Sequence, residues 1–166
     1  MALSTLDRLA KQNETKRFWT RISLVCVVLL LVVFVGDRVV NGKRGELYHE
    51  RLVQEFRAIR PLPDASVVSA SDNYSPWNSH KALVGASYTT RLPYSEIRQY
   101  YDRELPQLGW RAVRDHAVTD WGRDLGGREV KYCKGELGAS LQYAGTNAHY
   151  GWTFALDLTW GLDGCT

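Results

Sequence analysis

Fourteen consecutive residues without a charge, ISLVCVVLLLVVFV at positions 22–35, constrain this chain more than any other feature it has. Wound as an α-helix at ~1.5 Å per residue, the run measures about 21 Å. That falls short of a hydrocarbon core of roughly 30 Å, so the flanks must extend it. Phe18 and Trp19 suit one membrane interface. Arg38 can snorkel its charge outward at the other, leaving Val39 and Val40 near the boundary. Residues 22–40 are therefore expected to form a transmembrane helix against lipid, with Cys26 packed within it.

The charges on either side set an orientation. Residues 1–21 carry five Lys/Arg (Arg8, Lys11, Lys16, Arg17 and Arg21) against two Asp/Glu, while on the far side Arg38, Lys43 and Arg44 are offset by Asp37 and Glu46. The stronger basic cluster belongs in the cytoplasm. A cytoplasmic N-terminus over residues 1–21 thus leads into a signal anchor in the cell membrane, and the remainder lies outside, in the periplasm if the source is bacterial. A cleaved signal peptide is the competing reading, because fourteen apolar residues also fit that element. Against it, Val40-Asn41-Gly42 is a weak cleavage site, no Ala-x-Ala occurs, and the leader before the run is long. A lipoprotein signal fits worse, since Cys26 lies mid-run after Val25. Each of these readings exports the domain.

Residues 41–166 hold fifteen Lys/Arg and fifteen Asp/Glu. A neutral domain lacks the electrostatic attraction behind most nucleic-acid affinity, so nucleic acid is set aside as a partner. With 45% hydrophobic and 23% charged residues over a length of 166, the composition suits one folded domain beside the anchor.

Patterning outlines that domain. After Asn41-Gly42-Lys43-Arg44-Gly45, read as a hinge, Tyr48, Leu52, Phe56 and Ile59 fall on one face of a juxtamembrane helix within a linker region over residues 41–60. Pro61 and Pro63 stop it, and the extracytoplasmic domain is taken as residues 61–166. A first strand is expected over residues 66–70, a polar and aromatic loop over 72–80, and a second strand over 83–90. Residues 95–108 form the clearest soluble helix, with Ile97, Tyr100, Tyr101, Leu105 and Leu108 as its apolar stripe and Gly109 as its stop.

Trp110 opens a short strand to Val113, and alternation then marks strands around Val130 and Tyr132, from Leu137 to Tyr143, and from Trp152 to Trp160. In the last of these, one face is expected to be buried and the other wet. Gly126-Gly127 reads as a hairpin turn. The class is α+β: one N-terminal transmembrane helix, then a small domain with an antiparallel sheet of about five or six strands packed by one helix.

Cys133 and Cys165 are both exported on this reading, and a disulfide between them would pin the tail to the sheet. Chemistry is thinly signalled. His49, His80, His116 and His149 show no metal-ligand spacing, there is no Gly-x-Ser-x-Gly, and no Gly-rich phosphate loop occurs. No catalytic residue, metal site or cofactor is assigned. Asp115, His116 and Asp120 read as an exposed strand end and turn, and the Asn73-Tyr74-Ser75 sequon as a loop marker. Aromatic residues in loops are the suggestive feature, because large amphipathic rings serve binding surfaces. Tyr74, Trp77, His80, His116, Trp121 and Tyr150 are the candidate binding residues.

Two functions are in view. One is a non-catalytic interaction or accessory protein with a protein partner in the membrane or envelope, a subunit or assembly factor of an envelope complex. The alternative is a small-molecule or envelope-polymer site, enzymatic in its strongest form, built from the 72–80 loop with Asp115, His116 and Trp121.

Overall fold

The computed structural model describes residues 2–74, 81–161 and 165, with side chains from Trp19 onward apart from Arg21, Val40 and Asn41. The chain divides into two compact units, residues 1–40 and residues 41–166. Helix α1 is assigned over Ala2–Ala58, so the backbone of Asn41-Gly42-Lys43-Arg44-Gly45 is helical. Two glycines spread over five residues weaken a helix by about 1 kcal/mol each; here well-packed turns follow them and outweigh that loss.

In the first unit, the described side chains over residues 22–37 all stand exposed, including every Val, Leu and Phe of the apolar run. The stretch Ile22–Ala58 contains an 18-residue window of mean hydropathy 2.5, long and apolar enough to cross a membrane.

The second unit begins with the last turns of α1. Leu52 is fully buried and Ile59 nearly so, in the same core as the sheet. The face Tyr48, Leu52, Phe56 and Ile59 is therefore a core face. Tyr48 stacks on Trp160 at 4.3 Å between ring centroids, while Arg44 lies over both rings and pairs with Glu136 at 3.2 Å. Lys134 Nζ donates to both oxygens of Glu55 at 2.7 Å. On the other flank, His49 Nε2 lies 2.6 Å from Asp72 Oδ1, His49 stacks on Tyr74, and the Tyr74 hydroxyl donates to the Gly42 carbonyl at 3.0 Å.

Six strands follow: β1 (Ser66–Tyr74), β2 (Ala82–Thr89), then after helix α2 (Tyr94–Gln107), β3 (Arg111–Asp120), β4 (Arg123–Lys134), β5 (Leu137–Tyr143) and β6 (Phe154–Trp160). They form one antiparallel sheet in the order β1-β2-β6-β5-β4-β3. Thus α2 carries the chain from β2 to the far edge, and the meander β3 to β6 returns to close on β2. Helix α2 buries Ile97, Tyr101 and Leu105 against Phe154, Leu156 and Leu158 of β6 and Val130 and Tyr132 of β4, in one core with the end of α1. The helix ends at Gln107, and Gly109 takes the positive φ of 87° that the reversal into β3 needs.

Four local expectations are corrected. β1 continues through Asp72, Asn73 and Tyr74, because pairing with Val84, Leu83 and Ala82 overrides their weak strand preference. β3 is ten residues long rather than four, and carries its charges on an edge where both faces meet water. The hairpin turn falls at Trp121-Gly122, both at positive φ, and not at Gly126-Gly127. Gly126 instead lies in a bulge where the register passes from Val118↔Gly127 to Thr119↔Asp124. Lastly, β6 begins at Phe154 and is largely buried on both faces, since Ala155 and Thr159 lie between neighbouring strands at the sheet centre. The Sγ atoms of Cys133 and Cys165 stand at bonding distance, with Cα atoms 5.6 Å apart, across 32 residues of sequence.

Candidate functional site

The two edges of the sheet are built differently. β3 carries Arg111, Arg114, Asp115, His116 and Asp120, and a bulge between Ala112 and Arg114 breaks its ladder. Asp115 is held from both sides, by Arg98 at 3.1 Å and Arg128 at 2.9 Å. Charge and irregularity of this kind block addition of another strand. β1 reads SVVSASDNY, and its single charge, Asp72, is engaged by His49. After a bulge at Val68, Ser69 to Tyr74 run in unbroken register against β2, and Val67 and Val68 are 62% and 49% exposed. No described residue pairs with the outer edge of β1.

Two hollows adjoin the start of this edge. One, of about 290 Å³, lies on the helix side between the end of α1 and the sheet, lined by Phe56, Arg57, Ile59, Pro61, Val67, Tyr88, Tyr101 and Leu156. Burial pushes the Tyr101 phenol well above its usual range, so the floor stays uncharged at any physiological pH. The other, a wider and open cavity of about 520 Å³, is lined by Asp64, Ser66, Thr89, Thr90, Arg91 and Leu92.

Across the sheet lies a polar chain. Ser140 Oγ donates to Glu129 Oε1 at 2.6 Å, and the other carboxylate oxygen stands 3.1 Å from His116 Nε2. His116 Nδ1 is buried without a partner among the described residues. The carboxylate therefore separates hydroxyl from imidazole, whereas an activated serine needs the imidazole on its hydroxyl. A second cluster joins Arg98, Asp102 and Tyr132, whose hydroxyl donates to Asp102 at 2.9 Å. Among the described residues, no group of three or more His, Cys, Asp or Glu is arranged to hold a metal ion.

Four of the six candidate residues, Tyr74, His116, Trp121 and Tyr150, are described, and these four do not share one concavity. Tyr74 ends β1, packed on His49. His116 lies in the middle of β3, and Trp121 is 95% exposed at the tip of the β3–β4 hairpin. Tyr150 stacks on Trp152 at 5.5 Å beside a cavity of about 270 Å³ that also touches Asp120 and Tyr143. A hydrogen bond to Asp120 raises the Tyr150 phenol. Trp77 and His80 lie outside the described residues. Tyr74 and His116 thus sit on opposite edges, which are five strand spacings or roughly 24 Å apart. His116 and Tyr150 share a region of the sheet with Trp121, and Tyr74 belongs to the β1 edge. The hollow under Val67 is what sequence reasoning missed; its trace is the uncharged Ala65 to Ser71 just after two prolines.

No protein-family model, curated protein or solved structure matches the chain. The fold itself defines the class: an α+β domain with a six-stranded antiparallel sheet, preceded by one apolar helix.

Proposed function

We propose that the protein is a single-pass membrane-anchored interaction subunit whose domain works outside the cytoplasm, binding a protein partner of the cell envelope without catalysing a reaction. The open edge of β1 carries this reading. An unpaired strand is a row of main-chain donors and acceptors, and addition of a partner strand satisfies them. The other edge is guarded by charge and a bulge, so a binding role concentrates on β1. The basic residues before the apolar helix support the orientation, and the cysteine pair supports an oxidising compartment.

Photo-cross-linking in living cells tests it. A photoreactive residue at Ala70, in β1, is expected to give an adduct with another envelope protein. The same residue at Ala117, in β3, is expected to give none. Absence of an Ala70 adduct, with the protein folded and in the membrane, would remove the reading.

A further inference from the structure

We infer that the segment received at β1 is an extended stretch of a partner protein bearing an aliphatic side chain and, next to it, a carboxylate. This rests on β1 being the docking edge and says what fits there. A strand added outside β1 lies ~4.8 Å beyond it and presents every second side chain to the helix side. There, next to exposed Val67, the hollow of about 290 Å³ opens between Phe56, Ile59 and Tyr88. That is at the lower edge of the roughly 300–1,000 Å³ of small-molecule sites and has room for one or two aliphatic side chains.

Charge selects the partner. Arg57 lines this hollow and Arg91 lines the adjoining cavity. Neither guanidinium has a hydrogen bond or ion pair among the described residues. Their neighbours differ: Arg60 is taken by both oxygens of Glu104, at 2.9 and 2.8 Å. Among the described residues Asp64 is the one carboxylate lining either hollow, so the two linings together carry two guanidinium groups against one carboxylate. A guanidinium fork binds a carboxylate through paired hydrogen bonds. A second copy of the chain does not supply that group through β1, whose lone acid, Asp72, is committed to His49.

The test uses the full chain in nanodiscs of zwitterionic lipid and two labelled ten-residue peptides. Both alternate leucine or valine with threonine; one ends in two aspartates and the other in two asparagines. Fluorescence anisotropy is expected to show the aspartate peptide binding about tenfold or more tighter, the ratio for 1.4 kcal/mol. Arg57→Glu with Arg91→Glu is expected to reverse the order. Methylating alternate backbone amides of the peptide is expected to abolish binding in one of the two phases only. That arm leaves the protein untouched, so misfolding of a variant cannot produce it.

Equal binding of the two peptides, or indifference to both methylation phases, overturns the inference. So does an Ala70 cross-link that joins two copies of the chain. If an Ala70 adduct to another protein persists while the peptides bind equally, the inference falls and the interaction reading stands; loss of both removes both.

Discussion

Leu52 and Glu104 show how single side chains fix this domain. Leu52 has no exposed surface although it belongs to the helix that continues the apolar segment. Leu52→Ala should destabilise the domain by about 2–5 kcal/mol, the range for a buried leucine truncation. Chemical denaturation followed by tryptophan fluorescence measures it, and a change under ~0.5 kcal/mol would show that these turns are a mere linker. Glu104 is buried, and the Arg60 guanidinium holds its carboxyl below the ordinary value of 4.5. A lowered folded-state pKa contributes stability that is present above the unfolded value and lost as pH falls through the folded one. Glu104→Gln should therefore be less stable than the native chain at pH 7, and the gap should narrow as the pH falls below the ordinary carboxyl value of 4.5. Melting curves from pH 7 to pH 3 test this, and a gap independent of pH would contradict it. The spacing of Tyr48, Leu52, Phe56 and Ile59 made the core face readable in advance. The partners of Glu104 were not readable, because 44 residues separate it from Arg60.

Among the elements, α2 and β6 were legible because each presents a long apolar period, 3.6 for the helix and 2 for the strand. β3 was not. Its alternation is hidden by charges that an edge strand tolerates on both faces, so only its first residues carried a signal. The hairpin tip was misplaced for a related reason. Trp121 sits at a φ of 48°, a conformation bulky side chains avoid, and the sequence offered Gly126-Gly127 as the easier turn. Trp121→Asn should relieve that strain and raise stability by up to about 1 kcal/mol, read as a rise of a few degrees in Tm. A drop in Tm would mean that the exposed indole contributes to the fold. The edge of β1 could not be foreseen, since strand order is set by how the meander closes on β2 and not by any local run of residues.

For the whole molecule, the Cys133–Cys165 pair and the apolar helix both bear on the proposed compartment. The 32-residue separation of Cys133 and Cys165 predicts a loss of about 3–4 kcal/mol in Cys165→Ser, if loop entropy governs. Thiol-reactive mass tagging of unreduced protein from its native membrane should label Cys26 alone among the three cysteines. Export of the domain is the claim beneath the disulfide, the envelope reading and the choice of partner. It is tested most directly by paired reporters fused after Thr166, an alkaline phosphatase that is active only outside the cytoplasm and a fluorescent protein that matures only inside. An active phosphatase and a dark fluorescent fusion are expected; a bright fusion with an inactive phosphatase would place the domain in the cytoplasm and overturn export.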